Sequence, residues 1–140
     1  MVLTPHPGEF GRLTGEPAPD ADDDDGRATA AAEAAATWGQ VVVLKGANTV
    51  VADPGGEVLR AEVATPALAT AGSGDVLAGA IGALLAAGVA PFVAAACGVA
   101  AHGAAGMIAA ERIGSTGAMA RDLAGFLPAS FARLRGERAQ

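Results

Sequence analysis

The sequence predicts an α/β fold in which helices pack on a mainly parallel sheet that also carries a β-hairpin. Three features predict it. Val41-Val-Val-Leu44 is a short unbroken apolar run, the pattern of a strand buried on both faces of a parallel sheet. Asp53-Pro-Gly-Gly56 separates strand-like segments at 48–53 and 57–63 and reads as a hairpin turn. Helical stretches then follow at about 73–87, 91–113 and 118–134. Strands and helices mixed in this order are the signature of helices covering a sheet.

The elements can be taken in chain order. Val2-Leu3 reads as the remnant of a strand. In Thr4-Pro-His-Pro-Gly-Glu-Phe10, His6 is placed to cap a short helix, with Pro7 its first residue, Glu9 its third and Gly15 near its end. Residues 16–25, EPAPDADDDD, form a polar loop whose aspartates lie at the start of the next helix, where the helix dipole favours negative charge. Their spacing lacks the pattern of a calcium loop. An alanine-rich helix runs from about Gly26 to Trp38 and leads into the valine strand. No internal repeat is visible.

Composition narrows the function classes. The apolar half of the chain is mostly alanine and valine, with no tyrosine, which favours closely packed helices over a large ring-lined cavity. A net charge of −6 and the lack of a basic stripe argue against a nucleic-acid partner. Cys97 is the single cysteine; lying in an apolar run, it is expected to be a buried thiol in a reducing, cytoplasmic compartment. Met1-Val-Leu-Thr-Pro has neither a basic nor an apolar leader region. Val76 to Ala101 is uncharged and long enough to cross a bilayer, but four glycines and Pro91 interrupt it, so two packed soluble helices are expected.

Three motifs could carry chemistry. Thr70-Ala-Gly-Ser-Gly-Asp-Val-Leu77 places glycines at a helix start, with Ser73 as the expected N-cap and Asp75 in the first turn. Unpaired amides of residues 73–76 would then form an anion hole at Gly72, Ser73 and Gly74, the glycines clearing space for a phosphate-like group. An ordinary glycine-rich cap is the alternative. A helix start favours a charged, weakly basic carboxylate, so Asp75 suits phosphoryl transfer to an alcohol, whose hydroxyl becomes acidic as it bonds to phosphorus. Lys45-Gly46-Ala47-Asn48-Thr49 follows the buried strand, at the sheet edge where α/β proteins bind ligands. Lys45 and Thr49 could hold nucleotide phosphates, or simply occupy a strand-to-strand turn; the spacing is not that of a Walker A loop. His6 lies between two prolines, either presented rigidly for use or capping a turn, and His102 reads as structural. No HxxxH or CxxC pair indicates a metal site.

In combination the motifs are more specific. TPHPGEF, VVLKGANTVV with its DPGGEV turn, LATAGSGDVLAGAIGALLAAG, the histidine-glycine helix and ARDLAGFLP together resemble the ADP- or ATP-dependent NAD(P)H-hydrate dehydratases of the ribokinase-like superfamily, over nearly the whole chain. TPHPGE discriminates, because kinases of the superfamily share GSGD-like sequences but usually lack it. The resemblance implies a single ribokinase-like domain of which residues 1–140 form the C-terminal part. It implies repair of the S-form of hydrated NADH or NADPH: the nucleotide phosphorylates the ring hydroxyl, and loss of phosphate restores the double bond. It further implies that His6 and Asp75 contact the hydrate, with Asp75 catalytic. Lys45, Gly46, Ala47, Asn48, Thr49 and Gly74 would contact ADP or ATP, and a magnesium ion would bridge the phosphates, held mostly by ligand and water. Family members carry further sheet strands before TPHPGE. The chain is therefore expected to start inside that fold, from a gene model beginning at an internal methionine, and to have little activity alone. The alternatives are a kinase for a thiazole or pyrimidine alcohol and a non-catalytic remnant binding adenine nucleotide or a partner subunit. Acidic, alanine-rich helices also allow a homo-oligomer.

Overall fold

The computed structural model describes residues 1–61 and 65–136. Its elements are β1 (Val2–Leu3), α1 (Pro7–Thr14), α2 (Asp24–Trp38), β2 (Val41–Leu44), β3 (Thr49–Ala52), β4 (Val58–Ala61), a 3₁₀ turn (Pro66–Leu68), α3 (Ser73–Ala86), α4 (Pro91–Arg112) and α5 (Ala120–Leu134). The order matches the α/β expectation. Residues 62 and 63 of the expected second hairpin strand lie outside the described residues. The chain forms two compact units, Met1–Glu62 with Val89–Ala96, and Val63–Gly88 with Cys97–Gln140.

The first unit holds the sheet, in the order β1-β2-β3-β4. β1 pairs parallel with β2, whereas β2–β3 and β3–β4 are antiparallel. The sheet is thus mixed and not mainly parallel, although the hairpin is where Asp53-Pro-Gly-Gly56 places it. The reason is connection length. A parallel crossover needs a dozen or more residues, and only residues 45–48 join β2 to β3. All four residues of β2 are buried, as a strand covered on both faces requires. α2 packs on the sheet through Ala28, Ala31, Ala34 and Ala35, which meet Val42, Leu44, Val50 and Ala52, with Phe10 of α1 completing the cluster. Spacings of three and four residues put these alanines on one face. Their small side chains let the helix backbone approach the strands, and Trp38 closes the end of the layer against Phe10, with ring centroids 6.1 Å apart.

The second unit is helical in its described part. Ala67, Ala109, Ala118 and Leu123 form its core, with Leu68, Val76, Ala110 and Phe126 packed around them. Gly98 and Gly106 sit where neighbours come closest: a Cβ at Gly98 would lie 2.5 Å from Cγ1 of Ile81, and one at Gly106 2.5 Å from Cδ2 of Leu68.

The long uncharged stretch is divided as expected, α3 ending at Ala86 and α4 beginning at Pro91. By length and composition alone α4 could cross a membrane, and 56% of its most apolar window is buried within the protein. Cys97 corrects an expectation: it is exposed, not buried. Along α4 the buried positions include Ala94, Ala95, Gly98, Val99, Ala101 and His102, while Val93 and Cys97, one turn apart, occupy the opposite face. An apolar run does not reveal which of its faces is covered.

Candidate functional site

In the first unit the expected residues gather at the carboxyl ends of the parallel strands β1 and β2. The Lys45 amide donates to the Pro5 carbonyl (2.9 Å), which ties the two strand exits together. His6 caps α1: its Nδ1 accepts from the amides of Gly8 (3.1 Å) and Glu9 (3.2 Å), while Oε2 of Glu9 accepts from the His6 amide (2.7 Å). This reciprocal capping box satisfies orphan amides at both positions. It also sets the chemistry of the ring, because an Nδ1 that accepts leaves the proton of the neutral imidazole on Nε2. Nε2 lies 3.4 Å from Oε1 of Glu9, and the His6 side chain is half exposed. Nδ1 therefore caps the helix, while Nε2 stands beside the Glu9 carboxylate on the half-exposed ring.

Glu9, read from sequence only as the third residue of the first helix, is a hub of this site. Its carboxylate also lies 3.7 Å from Nζ of Lys45. Its pKa is held below 4.5, chiefly by the hydrogen bond from the His6 amide; burial opposes this, and the charges of Lys45 and Arg12 reinforce it.

The turn after β2 is organised from beneath by Arg27, which sequence reasoning passed over. Arg27 is 1% exposed. Its Nη2 donates to the carbonyls of Lys45 (3.0 Å), Leu44 (3.4 Å) and Asn48 (3.5 Å). Burial lowers its pKa from the ordinary guanidinium value, and the nearby Asp24 charge partly opposes the shift. A signal was present: Arg27 shares the three- and four-residue spacing of the buried alanines 31, 34 and 35. Asn48 donates to Oδ1 of Asp24 (2.7 Å) and the Thr49 hydroxyl donates to the Gly46 carbonyl (3.0 Å). In this arrangement the Thr49 proton is engaged within the turn and unavailable to a phosphate. The turn instead offers the Lys45 ammonium and the amides of Gly46, Ala47 and Asn48, none of which donates to a described backbone acceptor.

In the second unit the start of α3 differs by one position from expectation. Gly72, not Ser73, is the N-cap, in the left-handed conformation (φ 85°) that a side chain resists. Ser73 is the first helical residue. Its hydroxyl lies 2.9 Å from Nε2 of His102, and both residues are buried. Buried polar groups seek partners, and the pairing with His102 draws Ser73 inward, away from a capping position. His102 is thus structural, as its mid-helix position suggested. The register shift revises the anion hole. Three of the four amides expected to be free are engaged: Ser73 with the Thr70 carbonyl, and Asp75 and Val76 with that of Gly72. The amides of Gly72 and Gly74 donate to none of the described residues. Asp75 is the third helical residue and is exposed.

The structure thus groups His6, Glu9, Lys45 and the 46–49 turn in one unit, and Gly72, Ser73, Gly74 and Asp75 in the other. Among the described residues, no group of three or more His, Cys, Asp or Glu side chains is arranged for a metal ion. A cleft of about 320 Å³, lined by residues including Phe10, Leu13, Pro17 and Trp38, contains none of the expected site residues.

Residues 1–129 match the model of a family described as NAD(P)H-hydrate dehydratase. The bifunctional NAD(P)H-hydrate repair enzyme Nnr of Moorella thermoacetica is 48% identical over 137 residues, covering 98% of this chain and 26% of that protein. Among solved structures, the ADP/ATP-dependent NAD(P)H-hydrate dehydratase of Bacillus subtilis, co-crystallised with ATP and Mg²⁺, aligns with a TM-score of 0.84 at 37% identity, covering 94% of this chain and 47% of that one. A ribokinase-like superfamily protein of Enterococcus faecalis aligns with a TM-score of 0.72 at 26% identity, covering 94% of this chain and 44% of its own. The chain therefore spans about a quarter of the Moorella relative and under half of either solved structure.

Proposed function

The chain belongs to the NAD(P)H-hydrate dehydratase family, and on that premise we propose that the protein carrying it dehydrates the S-form of hydrated NADH or NADPH, using ADP or ATP. The observation that carries the reading is the start of α3. An exposed carboxylate, Asp75, stands in a helical first turn whose Gly72 and Gly74 amides have no acceptor among the described residues. Amides at a helix start stabilise negative charge on a transferring phosphoryl group.

The hydroxyl of the hydrate attacks the terminal phosphorus of the nucleotide. Its O–P bond forms as the bridging P–O bond breaks, and Asp75 receives the hydroxyl proton. Phosphate then leaves with the C–O bonding pair, while the adjacent ring carbon gives up a proton to water and the double bond is restored. His6 contacts the hydrate through Nε2, the ring nitrogen that does not cap the helix. Lys45, the Gly46–Asn48 amides and the Thr49 backbone contact the nucleotide. These donors fit a polyphosphate, being one ammonium and a set of outward amides. Magnesium carried on the phosphates would neutralise their charge and needs no cage of protein carboxylates.

Both units are read as portions of one ribokinase-like domain, supported by a family match that runs through each. The reading is of a cytoplasmic enzyme without a nucleic-acid or membrane partner, supported by the net charge of −6 and the partial burial of α4. It includes a homo-oligomer as an option, for which the alanine-rich helices are the support.

The test is Asp75→Asn, assayed by recovery of NADH absorbance and by release of inorganic phosphate. Losing a positioned proton acceptor should cost about 10²–10⁴-fold in turnover with nucleotide binding retained. Unchanged turnover would refute the role of Asp75. A stable phosphorylated alcohol in place of NADH would favour a small-molecule kinase, and absence of turnover in both forms a non-catalytic nucleotide-binding protein.

A further inference from the structure

Arg27 supports an inference that rests on the nucleotide reading above and extends it. The residue sits in the first turn of α2, beneath the loop assigned to the nucleotide. All three of its carbonyl contacts are made by one nitrogen, Nη2, which the planar, longer guanidinium carries into the turn in a fixed orientation that the shorter, freely rotating lysine ammonium does not reproduce. The charged hydrogen bonds of Arg27 are also stronger than neutral ones. The shortest goes to the Lys45 carbonyl, at 3.0 Å. Within a trans peptide plane the C=O and the following N–H point in opposite directions. Drawing the Lys45 carbonyl toward Arg27 therefore turns the Gly46 amide away from it. The bond to the Asn48 carbonyl, at 3.5 Å, acts in the same way on the Thr49 amide.

Gly46 is the steric complement of this arrangement. A Cβ there would lie 2.6 Å from Nη2 of Arg27 and 3.2 Å from its Cζ. Gly46 is not among the positive-φ glycines, so backbone conformation does not demand glycine at this position. Space for the guanidinium does. The Asn48–Asp24 hydrogen bond, at 2.7 Å, straps the same turn to the same end of α2. An apolar side chain could fill the volume without the cost of desolvating a cation.

We propose that Arg27 is a positioning residue for the nucleotide: it holds the Lys45–Asn48 turn so that the Gly46 amide faces the ligand, and Gly46 is glycine to accommodate it. The experiment compares wild type, Arg27→Lys, Gly46→Ala and the double variant in the protein carrying these residues. It measures ADP and ATP binding, kcat, the KM for nucleotide and for hydrate, and the unfolding midpoint. Arg27→Lys should raise the nucleotide KM and Kd about tenfold, the loss of one well-placed charged interaction. The hydrate KM and kcat should stay within about twofold. Gly46→Ala should show the same nucleotide-specific defect and keeps the test open if Arg27→Lys does not fold. The double variant should be no worse than Arg27→Lys alone, because the slimmer lysine leaves room for the methyl group. Unchanged nucleotide KM and Kd with only a lower midpoint, or strictly additive defects, would overturn the inference and leave the functional reading intact. A folded wild type that binds neither ADP nor ATP would overturn both.

Discussion

Gly98→Ala sets two physical effects against each other, and the structure decides between them. Glycine inside a helix is unfavourable relative to alanine by about 1 kcal/mol. Helix propensity alone therefore predicts that the substitution stabilises α4. The contact predicts the reverse. The new methyl carbon would lie 2.5 Å from Cγ1 of Ile81, with Cδ1 and the backbone nitrogen of Ile81 at 3.5 Å. Carbon atoms pack best at about 3.5–4.0 Å, so the pair must separate by roughly 1 Å. Ile81 is 2% exposed and has no outward path. The strain falls on its rotamer or on the α3–α4 spacing, at a cost of about 1–3 kcal/mol. The net expectation is a loss of roughly 1 kcal/mol, or about 3–4 °C in Tm for a chain of this size. Urea unfolding at constant slope measures it. Ile81→Ala alone should cost about 2–5 kcal/mol by opening a cavity. In the double variant the methyl group introduced at position 98 occupies part of that cavity, so the combined loss should fall short of the sum by about 1 kcal/mol or more. A more stable Gly98→Ala protein, or additive losses, would refute the close approach.

Other outcomes are expected at separate sites. Leu123, fully buried in the helical core, should cost about 2–5 kcal/mol when replaced by alanine, read from the same urea transitions; a loss within a few tenths of a kcal/mol would contradict its burial. Glu9 has a folded pKa below 4.5, so its contribution is present above that value and disappears as pH falls through the lower folded value. Glu9→Gln should therefore flatten the acid limb of the Tm–pH curve, by a modest amount because the side chain is 42% exposed. An acid limb identical to wild type would argue against the Glu9–His6 capping bond.

The legible part of the site is the part written locally. The capping box of His6 and Glu9 spans residues three apart, and hydrogen bonds of that reach are dictated by short-range geometry. The end of α2 at Trp38 and the start of α4 at Pro91 were readable for the same reason, whereas α2 begins at Asp24, two residues before the expected Gly26, with Asp23 as its cap. Arg27 shows where local reading fails. Its spacing placed it on a buried stripe, but its partners lie 17 to 21 residues away, and only packing α2 on the sheet brings them together. Ser73 fails in the opposite sense. Serine is a favoured cap by propensity, yet a histidine 29 residues distant takes its hydroxyl, Ser73 becomes the first helical residue and the cap falls to Gly72.

By itself the sequence determined the α/β order, the hairpin, the capped first helix, the family and the residue types available for phosphoryl chemistry, because each is a matter of neighbours along the chain. Tertiary structure alone decided the mixed pairing of the sheet, the exposed side of Cys97, which amides at the start of α3 stay free and which cation supports the loop after β2. Those outcomes depend on which faces meet, and a buried hydrogen-bonding group takes the partner that packing supplies.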